Sequence, residues 1–340
     1  MHALHLIATL LSILVAITLG VVLYLTRGIV LPFLVALFLA YLLDPVIRFL
    51  TRLRLPLWLA VCMALLGTFV LLALLGTLFY ASTQSFVKGY PRYEPKLREF
   101  VTTVTAQFNI VPPDWQMADL GKKLASATVA KAVFSSLGPF FTFVGRLLLV
   151  FLFMVFILLG QQSLPARIHR AFDEADAQRI TQMLQRITHQ AQTYLGAKAL
   201  ISLVTGLLVT LILFFFDIDF AVLWGTLAFL LNFIPHIGSS VAAIPPILVA
   251  ILKFDTLMPA VWVTMCIIVI NVVLGGLVEP RLVGQRLNLS PLLVILSLLF
   301  WGWLWGIAGM ILAVPIMATI KIICENIPRL RFVSLLMSGK

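Results

Sequence analysis

The chain is divided into apolar blocks of 15–26 residues separated by short charged stretches, and no other feature limits its fold as much. About 18 consecutive apolar residues make a helix long enough to cross roughly 30 Å of hydrocarbon. Hydrophobic residues make up 62% of the 340 and charged residues 11%. A soluble domain runs near ~45–50% and ~25%. A single soluble enzyme domain is therefore excluded, as is a disordered chain, which would be polar and charge-rich. An outer-membrane barrel needs ~10-residue segments of alternating polarity, and the sequence has none. The pattern predicts an all-α, polytopic helical membrane protein.

The net charge of +11 would raise nucleic-acid binding in a soluble protein. Here the basic residues gather at the ends of apolar blocks, so no nucleic-acid partner is expected and membrane lipid is. Arg48, Arg52 and Arg54 put three positive charges together with no acid among them, which assigns this loop to the cytoplasm. The N-terminus, two spans earlier, is then cytoplasmic. The tail, with Lys321, Arg329, Arg331 and Lys340, suits the same side. The block Leu6–Leu25 has no positive n-region and no small-residue cleavage site, so it reads as a retained first span. Cys62, Cys266 and Cys324 are far apart and read as ordinary apolar-helix residues.

The organisation follows the blocks. Residues 1–80 read as a three-span bundle, in which Pro45 predicts a kink or end of the second helix near Leu43. Residues 81–140 contain 7 basic and 4 acidic residues and read as a periplasmic segment. Short amphipathic helices are expected there at Tyr93–Phe108 and Met117–Phe134. A fourth span lies in 141–162. Within 163–198, Ile180, Leu184, Ile187, Ala191 and Leu195 form one helical stripe, predicting a cytoplasmic amphipathic helix. A fifth span is expected from Gly196 to Phe216. Residues 199–326 form the C-terminal core and 327–340 the tail.

That core carries the informative irregularities. Asn232-Phe-Ile-Pro235-His236-Ile-Gly238-Ser239-Ser240, then Pro245-Pro246, argue against one straight helix. Irregular backbone at membrane depth is tolerated only inside protein or beside water. Two arms with a break at 235–240 are predicted, as a re-entrant hairpin or as two short spans. The block 291–323 is too long for one untilted crossing and holds Gly302, Gly306, Gly309 and Pro315 as packing or hinge positions. Ala243-Ile-Pro245 resembles Ala313-Val-Pro315, each a few residues after a glycine. Paired interrupted segments in corresponding positions point to a transporter's binding site.

Polar groups in this setting are the candidate solute path: Asn232, Pro235, His236, Gly238, Ser239, Ser240 and Asn271. Asn271 equally suits an interhelical hydrogen bond. Gate or coupling candidates are Glu279, Arg281, Arg286 and Asp44. Glu279 is expected to pair with Arg281 or Arg286, or to relay protons or cations. No metal-ligand motif, nucleophile elbow or nucleotide-binding loop appears, so neither metal nor cofactor is expected, nor an enzyme.

Three stretches resemble the autoinducer-2 exporter family of bacterial inner-membrane transporters. They are Asn232-Phe-Ile-Pro-His-Ile-Gly-Ser, Glu279-Pro-Arg-Leu-Val-Gly-Gln-Arg-Leu-Asn-Leu-Ser-Pro-Leu and Leu298-Leu-Phe-Trp-Gly-Trp-Leu-Trp-Gly-Ile-Ala-Gly-Met-Ile-Leu-Ala-Val-Pro. Tyr41-Leu-Leu-Asp-Pro45 looks like the same family, and His236 stands where many relatives have Tyr. The resemblance implies about eight membrane segments, an inner-membrane location and export of small solutes. Some members are linked to autoinducer-2 efflux and others to sodium–proton antiport. Homo-oligomers, pentamers among them, are what such relatives imply. The expected function is export of a small polar, autoinducer-2-like solute. A sodium–proton antiporter and a non-transporting membrane scaffold are the alternatives.

Overall fold

The computed structural model describes residues 2–107, 129–161, 163–235, 237–254, 256–283, 289–327 and 330–339. Among them the regular structure is helical, apart from an isolated antiparallel bridge between Leu289 and Ser338. The helices are α1 (His2–Leu25), α2 (Arg27–Arg52), α3 (Leu57–Gln107), α4 (Val129–Gly160), α5 (Leu164–Ala171) and α6 (Glu174–Phe215). There follow α7 (Ala221–Leu231), α8 (Ile237–Lys253) and α9 (Met258–Asn271), then a π-helical segment Val272–Val278 and α10 (Glu279–Val283). Last come α11 (Pro291–Trp305), α12 (Ile307–Asn326) and α13 (Arg331–Met337).

Among the described residues, five helices are long and apolar enough to cross a membrane, six if α4 and α5, bent by 63°, count as one span. The shorter apolar helices α7, α8 and α11 supply the broken segments. Large apolar side chains lie exposed on the helices: Phe215 of α6 is 83% exposed and Trp303 of α11 77%. Contiguous apolar surface on this scale belongs against lipid. The chain is thus a multi-pass helical membrane protein.

Three sequence expectations are corrected. α2 does not end near Leu43 but runs through Pro32 and Pro45 to Arg52. Each proline removes one donor, and in a membrane helix the neighbouring bonds and helices make good the loss. The third span and the amphipathic helix expected at Tyr93–Phe108 are one helix, α3, of 51 residues and roughly 77 Å. That far exceeds the hydrocarbon thickness, so much of α3 lies outside it. The helix expected at Met117–Phe134 falls mostly outside the described residues, with Val129–Phe134 opening α4.

The third correction concerns 163–198. α5 stops at Phe172, whose backbone is extended, and α6 then runs 42 residues without a break into the fifth span. Glu174 and Asp176 sit in its first turn, where negative charge favours the helix dipole. Gly196 does not interrupt it; a mid-helix glycine costs only about 1 kcal/mol.

The chain forms two compact units. One comprises Met1–Leu65, Thr142–Leu195 and Gln285–Lys340, the other Leu66–Phe141 and Gly196–Gly284. In the first, Ala40, Ile47, Ala60, Val61, Ala64 and Leu158 form a core of mostly small side chains, which let helices approach closely. In the second, Leu213, Trp224, Ala228, Val249, Val263 and Ile267 form the core.

Each unit contains one helical hairpin built on a close approach. In α7–α8 a Cβ on Gly238 would lie 1.7 Å from the Leu231 carbonyl oxygen. In α11–α12 a Cβ on Gly309 would lie 2.0 Å from the Trp301 carbonyl oxygen. No side chain fits at either point. Gly306 makes the second turn at φ +67, which L side chains rarely adopt. The Ser290 hydroxyl caps α11 by accepting from the Leu293 amide at 3.2 Å.

Candidate functional site

The second unit holds a line of buried polar groups on α6. Lys198, Ser202 and Thr205 are spaced i, i+4 and i+7, which places them on one helical face. Lys198 is 2% exposed, Ser202 0% and Thr205 3%. Buried polar groups are costly unless hydrogen-bonded, and each of these has a partner. The Lys198 ammonium donates to both carboxylate oxygens of Glu279, at 2.7 and 2.8 Å. The Ser202 hydroxyl accepts from the Asn232 side-chain amide at 3.1 Å. The Thr205 hydroxyl donates to the Ile201 carbonyl at 2.8 Å.

The break between α7 and α8 positions the facing groups. Asn232 caps the end of α7, its backbone N–H donating to the Ala228 carbonyl at 3.0 Å. Turn bonds from Ile234 to Leu231 and from Gly238 to Ile234 satisfy the backbone across the break. Pro235 and Gly238 are buried in that turn and Ser240 is exposed, while His236 lies outside the described residues. Ser239 and Asn271 line a crevice with Thr205, Val209, Ala228 and Ala242. It has room for about one water molecule.

The remaining predicted residues are distributed differently. Glu279 opens α10 and is bonded to Lys198; of the two partners expected for it, Arg281 is exposed and Arg286 lies outside the described residues. Asp44 belongs to the first unit, where it binds Arg48 and Gln192, both at 2.7 Å. Pro245 and Pro246 lie inside α8 and Pro315 inside α12, both helices continuing through them. Gly302 faces Met310 across the α11–α12 hairpin. Sequence reasoning passed over Lys198, Ser202 and Thr205. The signal was a lysine inside an expected apolar span, with hydroxyls one and two turns on.

A second charged cluster lies beyond the C-terminal end of α6. Lys253 donates to Asp219 at 2.7 Å and to the Asp217 carboxylate at 2.9 Å, and Tyr93 of α3 donates to the other oxygen of Asp219. Burial alone would raise the Asp219 carboxyl; the bonds from Lys253 and Tyr93, with the Lys253 charge, hold it below the ordinary aspartate value. Lys198 and Phe215 are roughly 26 Å apart along α6. The two charged clusters therefore bracket an apolar stretch close to one hydrocarbon thickness.

Apolar spans, two broken hairpins and a buried polar line define a helical integral membrane protein of the transporter kind. The AI-2E family transporter pattern matches residues 11–329, and the chain belongs to that family. It is 34% identical over 298 residues to the AI-2 transport protein TqsA of Escherichia coli, covering 86% of this chain and 85% of that one. A Haemophilus influenzae protein whose name records transport and no solute is 33% identical over 330 residues, covering 96% and 94%. A sodium-lithium/proton antiporter of Halobacillus andaensis is 25% identical over 306 residues, covering 82% and 84%.

Proposed function

We propose that this protein exports a small polar, autoinducer-2-like solute across the bacterial inner membrane, with both termini in the cytoplasm. The path runs along the polar face of α6, against the α7–α8 break and Asn271. Asn232, Ser239 and Asn271 offer the solute hydrogen bonds in place of water. Pro235, Gly238 and the proline pair of α8 shape the hairpin that must move, since the crevice as it stands admits about one water. The carrying observation is the buried pair Ser202–Asn232 beside a crevice lined by Thr205, Ser239 and Asn271. A scaffold that only displayed its extramembrane helices would have no use for polar side chains placed there. TqsA, by its name, transports autoinducer-2, and the likeness over most of both chains supports the same solute class here.

The test is efflux of labelled autoinducer-2 from vesicles reconstituted with purified protein. Ser239→Leu and Asn271→Leu fill the crevice from two helices. Each should cut efflux at least tenfold while the melting temperature stays within a few degrees of wild type. Unchanged efflux in the double variant, with the protein folded, removes the path from this position.

A further inference from the structure

The pair Lys198–Glu279 is more than a strut between α6 and α10. Removing two charges from water costs several kcal/mol per ion even after relaxation, and apolar residues of similar volume hold helices together as well or better. A second feature lies next to it. Glu279 directly follows the π-helical segment Val272–Val278, which contains the adjacent Gly275 and Gly276. Such segments inside helices occur frequently at functional sites. Asn271, at the other end of this segment, lines the crevice. Seven residues therefore join the crevice wall to the partner of the buried lysine.

The segment has a defined alternative. Returning one turn of π-helix to α geometry shifts register by one residue. That would turn Glu279 about 100° relative to Asn271 and displace it about 1.5 Å along the axis. The bidentate contact with Lys198 would break. A buried lysine left without an anion is destabilising by several kcal/mol, so the change is favourable only when another anion takes the place of Glu279. Among the described residues, the near parts of α6 to α10 offer none. After His189, α6 carries no charged residue but Lys198. Ala221–Leu231 carries none, and neither does Met258–Val278. In α8 the only one is Lys253, at its far end, and Arg281 on α10 is a cation.

We infer that Glu279 is an internal stand-in for the anionic group of a solute, and that among the small polar solutes of this path the protein prefers hydroxylated anions. The inference rests on the transport reading above and names the substrate of that same path. The solute's carboxylate or equivalent anion binds the Lys198 ammonium. Its hydroxyls meet Ser202, about 6 Å along α6, and Asn232, which already bonds Ser202. Glu279 is released as the solute arrives, so Lys198 is never unpaired, and the π segment carries the change to Asn271. An uncharged solute of the same size does not displace Glu279 and crosses more slowly.

The experiment compares threonate with threitol, four-carbon polyols of the same configuration that differ in one carboxylate, as labelled efflux from proteoliposomes of the full chain. Wild type should move threonate at least tenfold faster than threitol. Lys198→Gln should abolish that preference. Lys198→Arg, which keeps the charge, should retain it and guards against a folding defect in the glutamine variant. Glu279→Gln removes the internal competitor and should lower the KM for threonate severalfold. Equal wild-type rates for the two solutes, no threonate efflux, or an unchanged preference in folded Lys198→Gln overturns the inference. The autoinducer-2 assay with Ser239→Leu and Asn271→Leu reads the path independently. Normal crevice dependence there with no anion preference here would sink the charge selection and leave the path standing.

Discussion

Gly238 of α8 approaches the Leu231 carbonyl of α7 so closely that a Cβ would stand 1.7 Å from its oxygen. Gly309 of α12 stands in the same relation to Trp301 of α11, at 2.0 Å. The two hairpins thus turn on one device, a glycine in the second arm against a carbonyl of the first.

Alanine at either position should force the arms apart. Overpacking of a tight contact costs about 1–3 kcal/mol. Gly238→Ala and Gly309→Ala should each lower thermal stability in detergent by that order. Gly67→Ala on α3, where nothing lies within 4 Å of the added carbon, should be neutral or stabilising by about 0.5–1 kcal/mol. Equal melting of all three would refute the close-approach account.

The Asn232–Ser202 hydrogen bond joins the break to α6. Polar bonds between membrane helices contribute about 0.6 kcal/mol on average and about 1.7 at most. A double-mutant cycle of Asn232→Leu and Ser202→Ala should return a coupling in that range. A coupling indistinguishable from zero would show that the two side chains act independently.

Asp219 predicts an acid limit. Its folded carboxyl titrates below the ordinary value, so its contribution is complete above the unfolded value of about 3.9 and is lost as pH falls through the folded one. The melting temperature of wild type should hold steady from neutral to about pH 5 and then fall more steeply than that of Asp219→Asn. Parallel curves for the two proteins would deny Asp219 this role.

The proposed orientation places the arginine-rich end of α2, with Arg48 and Arg52, and Arg54 just beyond it, in the cytoplasm. In a background with Cys62, Cys266 and Cys324 replaced, Thr51→Cys should react with a membrane-impermeant maleimide only after the inner face is opened. Labelling in intact cells would invert the topology.

Much of the site could be read from residue order. The break near Pro235, the bent block around Gly306 and the polar character of Asn232, Ser239 and Asn271 were all legible, because proline, glycine and amides are anomalous in apolar helices. The length of α3 and α6 was not. A proline or glycine marks where a helix is weakened, but the neighbours decide whether it continues. Lys198 went unnoticed because its meaning depends on Glu279, 81 residues later.

Order along the chain dictated a membrane helix bundle and marked the two places where its helices break, since these follow from hydrophobic runs and from the proline and glycine set among them. Folding in three dimensions chose the partners. A charge withdrawn from water must find its counter-charge through space. Only the packing of α6 against α10 determines that Lys198 holds Glu279, while Arg281, two residues beyond, is left exposed.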